Sequence, residues 1–155
     1  MFQKKTETET NAGSSEGIKN QFLVGQLRKV LYADDDADDK LWVTEACKAI
    51  DCDLNIEFVE NGRQALYYLE RLSVEEFPSL IVLDLNMPEL DGRQTLQKLK
   101  SHHLYKNIPV IIVTTSSNKV DMDICKRLGA ALYLIKPDKH AEWQAIIKEL
   151  IPYIA

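Results

Sequence analysis

The chain has no run of apolar residues close to the roughly 18 that a membrane span requires, and residues 22–27 (FLVGQL) are too short, and too broken by Gly25 and Gln26, to be the core of a signal peptide. A cytoplasmic protein without membrane insertion is therefore expected. Positive charge is in deficit as well. Acidic residues number 24 against 19 basic ones, a formal net charge of −5. That is the wrong sign for a face that neutralises phosphates, so nucleic acid is not expected as a direct partner. Cysteine is scarce and unpaired: Cys47, Cys52 and Cys125 form an odd set with no Cys-x-x-Cys, and His102, His103 and His140 stand at no zinc-ligand spacing from them. Cys47 and Cys125 are expected as buried structural thiols. His102 and His103, adjacent on a helix and so pointing to different sides, are expected at the surface. Residues 28–153 contain no internal repeat and no low-complexity tract.

What is present is the material of one globular domain: 155 residues, 45% hydrophobic and 28% charged. Residues 1–20 are rich in Thr, Glu, Ser, Gly, Asn and Lys, a composition that buries too little apolar surface to offset chain entropy. Residues 1–27 are accordingly expected to form a flexible tail, with the domain over 28–153. Because the chain ends about one turn after its last helical pattern, no output domain is expected.

The centre of the domain is residues 80–88 (LIVLDLNMP), where four apolar residues run without a break into Asp84 and Pro88 stops anything extended. A short continuous apolar run closed by a turn signal reads as a strand buried on both faces. Residues 29–33 (KVLYA) read as an earlier strand ending in acids at 34, 35, 36, 38 and 39. A helix follows, its apolar stripe at Val43, Ala46, Cys47 and Ile50. Residues 54–59 alternate as the second strand, and Asn61 and Gly62 turn the chain into a helix carrying Ala65, Leu66, Leu69 and Leu72. After the central strand, residues 90–92 open a helix with Leu96 and Leu99 inward. Residues 109–114 (PVIIVT) form the fourth strand. Ser117 or Asn118 caps a helix with Val120, Ile124 and Leu128, closed by Gly129. Residues 131–135 (ALYLI) stop at Lys136, and Trp143, Ile146, Ile147 and Leu150 mark the last helix. Strand and helix alternate five times, which predicts an α/β fold with a five-stranded parallel sheet covered on both faces.

If the strands are parallel, Asp34, Asp35 and Asp36, then Asp84, Thr114 and Lys136 meet at one edge of the sheet, where ligands bind in open α/β folds. Carboxylates gathered in one place repel and hold protons unless a cation sits among them. An all-oxygen cluster suits Mg²⁺. Carboxylate, Mg²⁺, a hydroxyl donor and a fixed ammonium are what a transferring phosphoryl group needs, with Asp84 as a nucleophile that forms an aspartyl phosphate. Plainer roles exist for several of these residues. Helix capping and dipole compensation account for Asp36, Asp38 and Asp39, Lys136 has a snorkelling alternative, and Thr114 lies in a loop rich in hydroxyls. Capping does not account for two adjacent acids, Asp34 and Asp35, after a buried strand.

Residues 30–36 (VLYADDD), 81–92 (IVLDLNMPELDG), 109–115 (PVIIVTT) and 129–137 (GAALYLIKP) resemble the four signature blocks of response-regulator receiver domains. The similarity runs over about 28–153. The resemblance implies the flavodoxin-like strand order 2-1-3-4-5 that chemotaxis receivers share. It implies that Asp84 takes a phosphoryl group from the phosphohistidine of a histidine kinase or histidine phosphotransfer protein, in a two-component system or phosphorelay. Asp35, Asp84 and the backbone carbonyl of Asn86 would hold Mg²⁺, with Asp34 acting through water. Lys136 would pair with Asp84 and then with the phosphoryl oxygens, and its bond to Pro137 would be cis. Thr114 would turn toward the phosphoryl group and Tyr133 would follow, passing the change to the face of the fourth helix, fifth strand and fifth helix. A downstream protein would read that face, the chain being a monomer or a phosphorylation-dependent dimer. Asp138, where many relatives carry an apolar or aromatic residue, alters the output face, and Asn86 and Ser116 sit where the family tunes phosphoryl lifetime.

Two other readings follow from the same residues. A haloacid-dehalogenase-type phosphohydrolase also uses an Asp nucleophile, Mg²⁺, a hydroxyl and a lysine, but needs a second Asp two residues after the first, where this chain has Asn86. A receiver-like binding module that works without phosphorylation ordinarily lacks an acid, the threonine or the lysine, and here all are present. The chain is thus expected to be a switch and not an enzyme, beyond its own phosphorylation and dephosphorylation.

Overall fold

The computed structural model describes residues 28–154; the tail expected at 1–27 lies outside the described residues. Five strands, β1 (Lys29–Ala33), β2 (Asn55–Val59), β3 (Leu80–Leu83), β4 (Val110–Thr114) and β5 (Leu132–Ile135), form one sheet in the order β2-β1-β3-β4-β5, every pairing parallel. Five helices connect and follow them: α1 (Ala37–Ala49), α2 (Gly62–Glu70), α3 (Gly92–Ser101), α4 (Lys119–Leu128) and α5 (Trp143–Leu150). This is the expected architecture. Parallel pairing forces each connection to cross the sheet through a helix.

Alternation along each strand divides the core in two. Val30, Tyr32, Leu80, Val82, Ile111 and Val113 point to one face, where they pack with Val43, Ala46 and Cys47 of α1 and Trp143, Ile146, Ile147 and Leu150 of α5. Leu31, Ala33, Ile81, Leu83, Val110 and Ile112 point to the other, against Ala65 and Leu69 of α2, Leu96 and Leu99 of α3 and Cys125 of α4. β3 and β4 are buried at every residue, as strands covered on both faces must be, while the edge strands β2 and β5 are half-buried. Cys47 and Cys125 are the buried thiols expected; burial pushes both up, Cys47 to about 11, which leaves them unreactive.

The helix starts are chemically marked. Asp36, Asn61 and Asp91 cap α1, α2 and α3, Asp91 in a reciprocal box with Gln94. Asn118, not Ser117, caps α4, and Gly129 ends it at φ 103. Two expectations fail locally. Val120 is exposed, and Cys125 is the buried residue of α4. His102 and His103 do not diverge. α3 ends at Ser101, so helical rotation no longer separates them, and their rings stack at 4.9 Å, with His102 also 4.1 Å from the Tyr105 ring.

Gly92 begins α3 directly against the end of the central strand, its N–H donating to the Leu85 carbonyl at 3.0 Å. A Cβ there would overlap the Asp84 carbonyl oxygen and lie 2.8 Å from Leu85 Cα. Neither backbone atom can yield. Gly92→Ala is expected to cost about 1–3 kcal/mol, as overpacking of a close contact does, measured by urea unfolding. An unchanged midpoint would contradict the close approach.

Candidate functional site

The main-chain ladder runs one residue past the formal strand ends. Asp34 N–H donates to Val59 O at 2.9 Å, Asp84 N–H to Ala33 O at 3.0 Å, and Lys136 N–H to Thr114 O at 2.8 Å. The sheet itself therefore fixes where these side chains start. Alternation fixes which way they go: Asp34, Asp84 and Lys136 continue the set facing α1 and α5, whereas Thr114 and Tyr133 belong to the set facing α2, α3 and α4.

On the first face one ammonium meets three carboxylates. Lys136 Nζ donates to Asp84 Oδ2 at 2.9 Å and to Asp39 Oδ2 at 2.5 Å, and forms an ion pair with Asp34 Oδ2 at 2.8 Å whose angles fall short of a hydrogen bond. All four side chains are buried, that of Lys136 to 6% exposure, which rules out snorkelling. The second oxygens are held by backbone: Asp34 Oδ1 accepts from Asp36 N–H at 2.9 Å, and Asp84 Oδ1 from Asn86 N–H at 3.3 Å. The bond from Lys136 to Pro137 is trans, as is every peptide bond among the described residues; the cis form implied by the resemblance is not adopted. Trans is the intrinsically favoured isomer by about 0.5–1 kcal/mol, and with it the ammonium already reaches all three acids.

One positive charge does not balance three negative ones. Burial works to lower the Lys136 ammonium, but the close Asp34 carboxylate, then Asp39 and Asp84, outweigh that and hold it above its ordinary value. The remaining excess falls on Asp34. Burial raises its carboxyl and the neighbouring Asp84 adds to the rise, so that even with Lys136 and the Asp36 N–H pulling down it is pushed up to about 6. Beneath them the Tyr32 hydroxyl is fully buried with no hydrogen-bond partner, raised well above its usual range by burial and then by Asp34, Asp39 and Asp84.

Asp34, Asp35 and Asp84 each offer one carboxylate oxygen, all within 4.8 Å of one another, with Asp35 exposed and the other two buried. Hard oxygen donors, an unbalanced negative charge and a side open to solvent fit a divalent cation that keeps part of its water shell, as Mg²⁺ does. Asn86 follows on the exposed side of the loop.

The hydroxyl side is built differently. Thr114 is fully buried, and its Oγ1 accepts from Ser116 N–H at 3.4 Å, turned toward the loop and not toward the acids. The Tyr133 hydroxyl, half-buried, donates to the Ser116 carbonyl at 2.8 Å; burial raises it, and its bond at Ser116 partly counters this. Ser116 Oγ donates to Asp121 Oδ2 at 2.7 Å, and Asp121 also pairs with Arg93 of α3. Ser116 thus ties Thr114, Tyr133 and α4 together.

Asp39 is the residue that sequence reasoning missed. Capping explains Asp36, whose side chain accepts from the N–H groups of Asp38 and Asp39, but the Asp39 carboxylate turns inward to Lys136. The signal was in the spacing: Asp39 stands four residues before Val43, at the head of the inward stripe of α1.

Residues 30–148 match the family described as response regulator receiver domain. The chain is 34% identical over 110 residues to response regulator Rcp1 of Synechocystis sp., covering 69% of this chain and 75% of Rcp1. The crystal structure of the phosphorylated cyanobacterial phytochrome response regulator RcpA is similar at a TM-score of 0.73 and 28% identity, over 82% of this chain and 93% of that one. The Mn²⁺-bound form of Rcp1 is similar at a TM-score of 0.70 and 29% identity, over 79% and 91%.

An acid whose folded value lies above its ordinary 3.8 binds a proton more tightly folded than unfolded. Its contribution is therefore fully present below pH 4 and lost as pH rises through about 6. A rise of that size is about 3 kcal/mol. In EDTA, wild type is expected to lose about that much relative to Asp34→Asn between pH 4 and 7, and added Mg²⁺ to restore wild type but not the variant, both read from urea unfolding. Equal pH slopes for the two proteins would contradict the excess charge assigned to Asp34.

Proposed function

Because the chain belongs to the response-regulator receiver family, we propose that it is a phosphorylation-controlled switch in which Asp84 accepts a phosphoryl group from a phosphohistidine. The receiver domain is the input module of two-component signalling, and it implies a kinase partner of that type. The observation that carries the finer reading is the placement of Lys136 Nζ 2.9 Å from Asp84 Oδ2, beside three carboxylate oxygens gathered within 4.8 Å. An ammonium and a cation site flank one buried carboxylate.

In the proposed transfer an Asp84 oxygen attacks phosphorus, the bond from phosphorus to the imidazole nitrogen breaks, and its electron pair leaves with the imidazole. Asp35, Asp84 and the Asn86 carbonyl, with Asp34 acting through water, would hold Mg²⁺, which when bound supplies charge neutralisation at the phosphoryl oxygens. Lys136 gives up its hydrogen bond to Asp84 Oδ2 and takes a phosphoryl oxygen in its place. On the other face the Thr114 hydroxyl, which accepts from Ser116 N–H, turns to donate its O–H to a phosphoryl oxygen and leaves that N–H. That frees Ser116, and Tyr133, bonded to the same residue, changes its packing. The affected surface is α4, β5 and α5, where Val120 and Ile135 stand exposed, and a downstream protein reads it. Residues 28–153 form the receiver. Among the described residues no helix is long and apolar enough to cross a membrane. A cytoplasmic site of action, where histidine kinases present their phosphohistidine, completes the reading.

Incubation with acetyl phosphate and Mg²⁺ is expected to add one phosphate, seen by intact-protein mass spectrometry. The adduct disappears with EDTA or in Asp84→Asn, whose circular dichroism stays that of wild type. No adduct and no hydrolysis of acetyl phosphate would overturn the switch in favour of a phosphate-independent binding module. Steady hydrolysis without an adduct would favour a phosphohydrolase.

A further inference from the structure

Asp39 is a buried acid to which the phosphotransfer reading gives no task. Its Oδ2 makes the shortest of the three carboxylate contacts on Lys136, 2.5 Å against 2.8 Å for Asp34 and 2.9 Å for Asp84. Asp34 and Asp84 are also the two buried members of the oxygen cluster that fits a dication, and Asp39 is not a member of it. Two carboxylates are thus claimed by two cations, while a third serves the ammonium alone. A dication drawn to Asp34 and Asp84 competes with an ammonium that touches the same two carboxylates. A further anion for Lys136, off those two carboxylates, lessens that competition.

We propose that Asp39 is a positioning residue that gives Lys136 an anchor off the cation-binding carboxylates, so that ammonium and dication occupy the site together. The inference builds on the phosphotransfer reading, which needs both cations present at once around the transferring group. Its geometry is favourable on the protein side. Asp39 sits on the first turn of α1, which Asp36 caps, and α1 is fixed to the sheet through Val43, Ala46 and Cys47. The anchor is therefore held by a packed helix, while the oxygens around the cation are held by strand ends and the loops after them. When Asp84 Oδ2 is lost as a partner, the ammonium stays at the edge, tethered from α1, with donors free to turn to whatever Asp84 carries.

The test uses the full chain and two probes that involve no phosphoryl transfer. Mn²⁺ affinity, from the electron paramagnetic resonance signal of the free ion, is expected to weaken roughly 10-fold in Asp39→Asn and by no more than about 2-fold in Asp39→Glu, which keeps a carboxylate for Lys136. The ¹⁵Nζ signal of Lys136, assigned by its absence in Lys136→Ala, is expected to stay sharp in wild type at saturating Mg²⁺ and to broaden by exchange with water in Asp39→Asn. Asn is isosteric and leaves α1 capped by Asp36, so the fold is kept. An Asp39→Asn signal that matches wild type with Mg²⁺ bound overturns the proposal, because any loss of affinity then reports only one missing negative charge. Unchanged Mn²⁺ affinity in Asp39→Asn, or a wild type that binds no Mn²⁺, overturns it too. Absence of an acetyl phosphate adduct on wild type would instead sink the switch reading and leave the role of Asp39 standing.

Discussion

A single ammonium held among three buried carboxylates is the constraint on which the arrangement of this molecule depends. Buried charges are tolerated only when they are paired, and here the pairing is incomplete by design of the sequence: Asp34, Asp39 and Asp84 share Lys136. Holding these acids inside costs stability: burial, with the neighbouring Asp84 charge adding to it, pushes Asp34 up to about 6. What offsets it is the sheet. Strands buried at every residue, with apolar side chains packed on both faces, supply the burial that lets one edge carry an unfavourable charge. The same strands deliver the charged groups, since the hydrogen-bond ladder extends into Asp34, Asp84 and Lys136. A frustrated site on a rigid frame is open to whatever brings positive charge, and the match to receivers, including an Mn²⁺-bound relative, agrees with that.

The two halves of the edge are held by different kinds of bond, and this bears on which half can move. The acids are fixed through main chain on both sides of each side chain: the ladder positions the backbone and N–H groups of Asp36 and Asn86 grip the free oxygens. The hydroxyl half is fixed by side chains reaching one loop: Thr114, Tyr133 and Asp121 all meet at Ser116. Breaking a main-chain ladder disturbs the whole sheet, whereas a single side-chain hydrogen bond to a loop contributes only about 0.5–1.5 kcal/mol. The loop after β4 is therefore the half of the site whose bonds cost less to break.

Much of this was legible in the sequence, for identifiable reasons. Central strands of a parallel sheet must be apolar at every position, so residues 80–83 and 110–113 read as strands without ambiguity, and Asn118 and Gly129 mark helix ends by chemistry that few other residues can supply. Edges were less sharp: Leu54, Pro109 and Ala131 look like strand residues yet lie one step outside the strands, although the Pro109 carbonyl still accepts from Ile81 N–H and Ala131 N–H still donates to the Val110 carbonyl. His102 and His103 were misplaced because α3 stops one residue before them. Asp39 was read as one more acid at a helix start, since a carboxylate on an apolar stripe and a carboxylate near a cap are the same letter; only the partner on a strand 97 positions away in sequence decides between them. The Pro137 bond could not be read from local residues, as both isomers are open to proline.

That Asp34, Asp84, Thr114 and Lys136 share an edge followed from the alternation of strands and helices; that they divide between two faces follows from counting by two along each strand. Asp34, Asp84 and Lys136 fall in register with Tyr32, Val82 and Leu134, and so stand with α1, where Asp39 waits. Thr114 falls in register with Ile112, and Tyr133 with it, on the side of α2, α3 and α4. On the proposed reading, a charge added to Asp84 would begin on the face of α1 and α5, and the end of β4, the strand that lies between β3 and β5, separates it from Tyr133. Thr114 is the last residue of that strand, and its hydroxyl stands at that end. A side chain one position earlier would point back into the α1 and α5 core, and one position later would sit in the loop, exposed. The place of Thr114 between the two faces is thus a consequence of strand order and the two-residue period, and that place is what suits its hydroxyl to the role proposed for it.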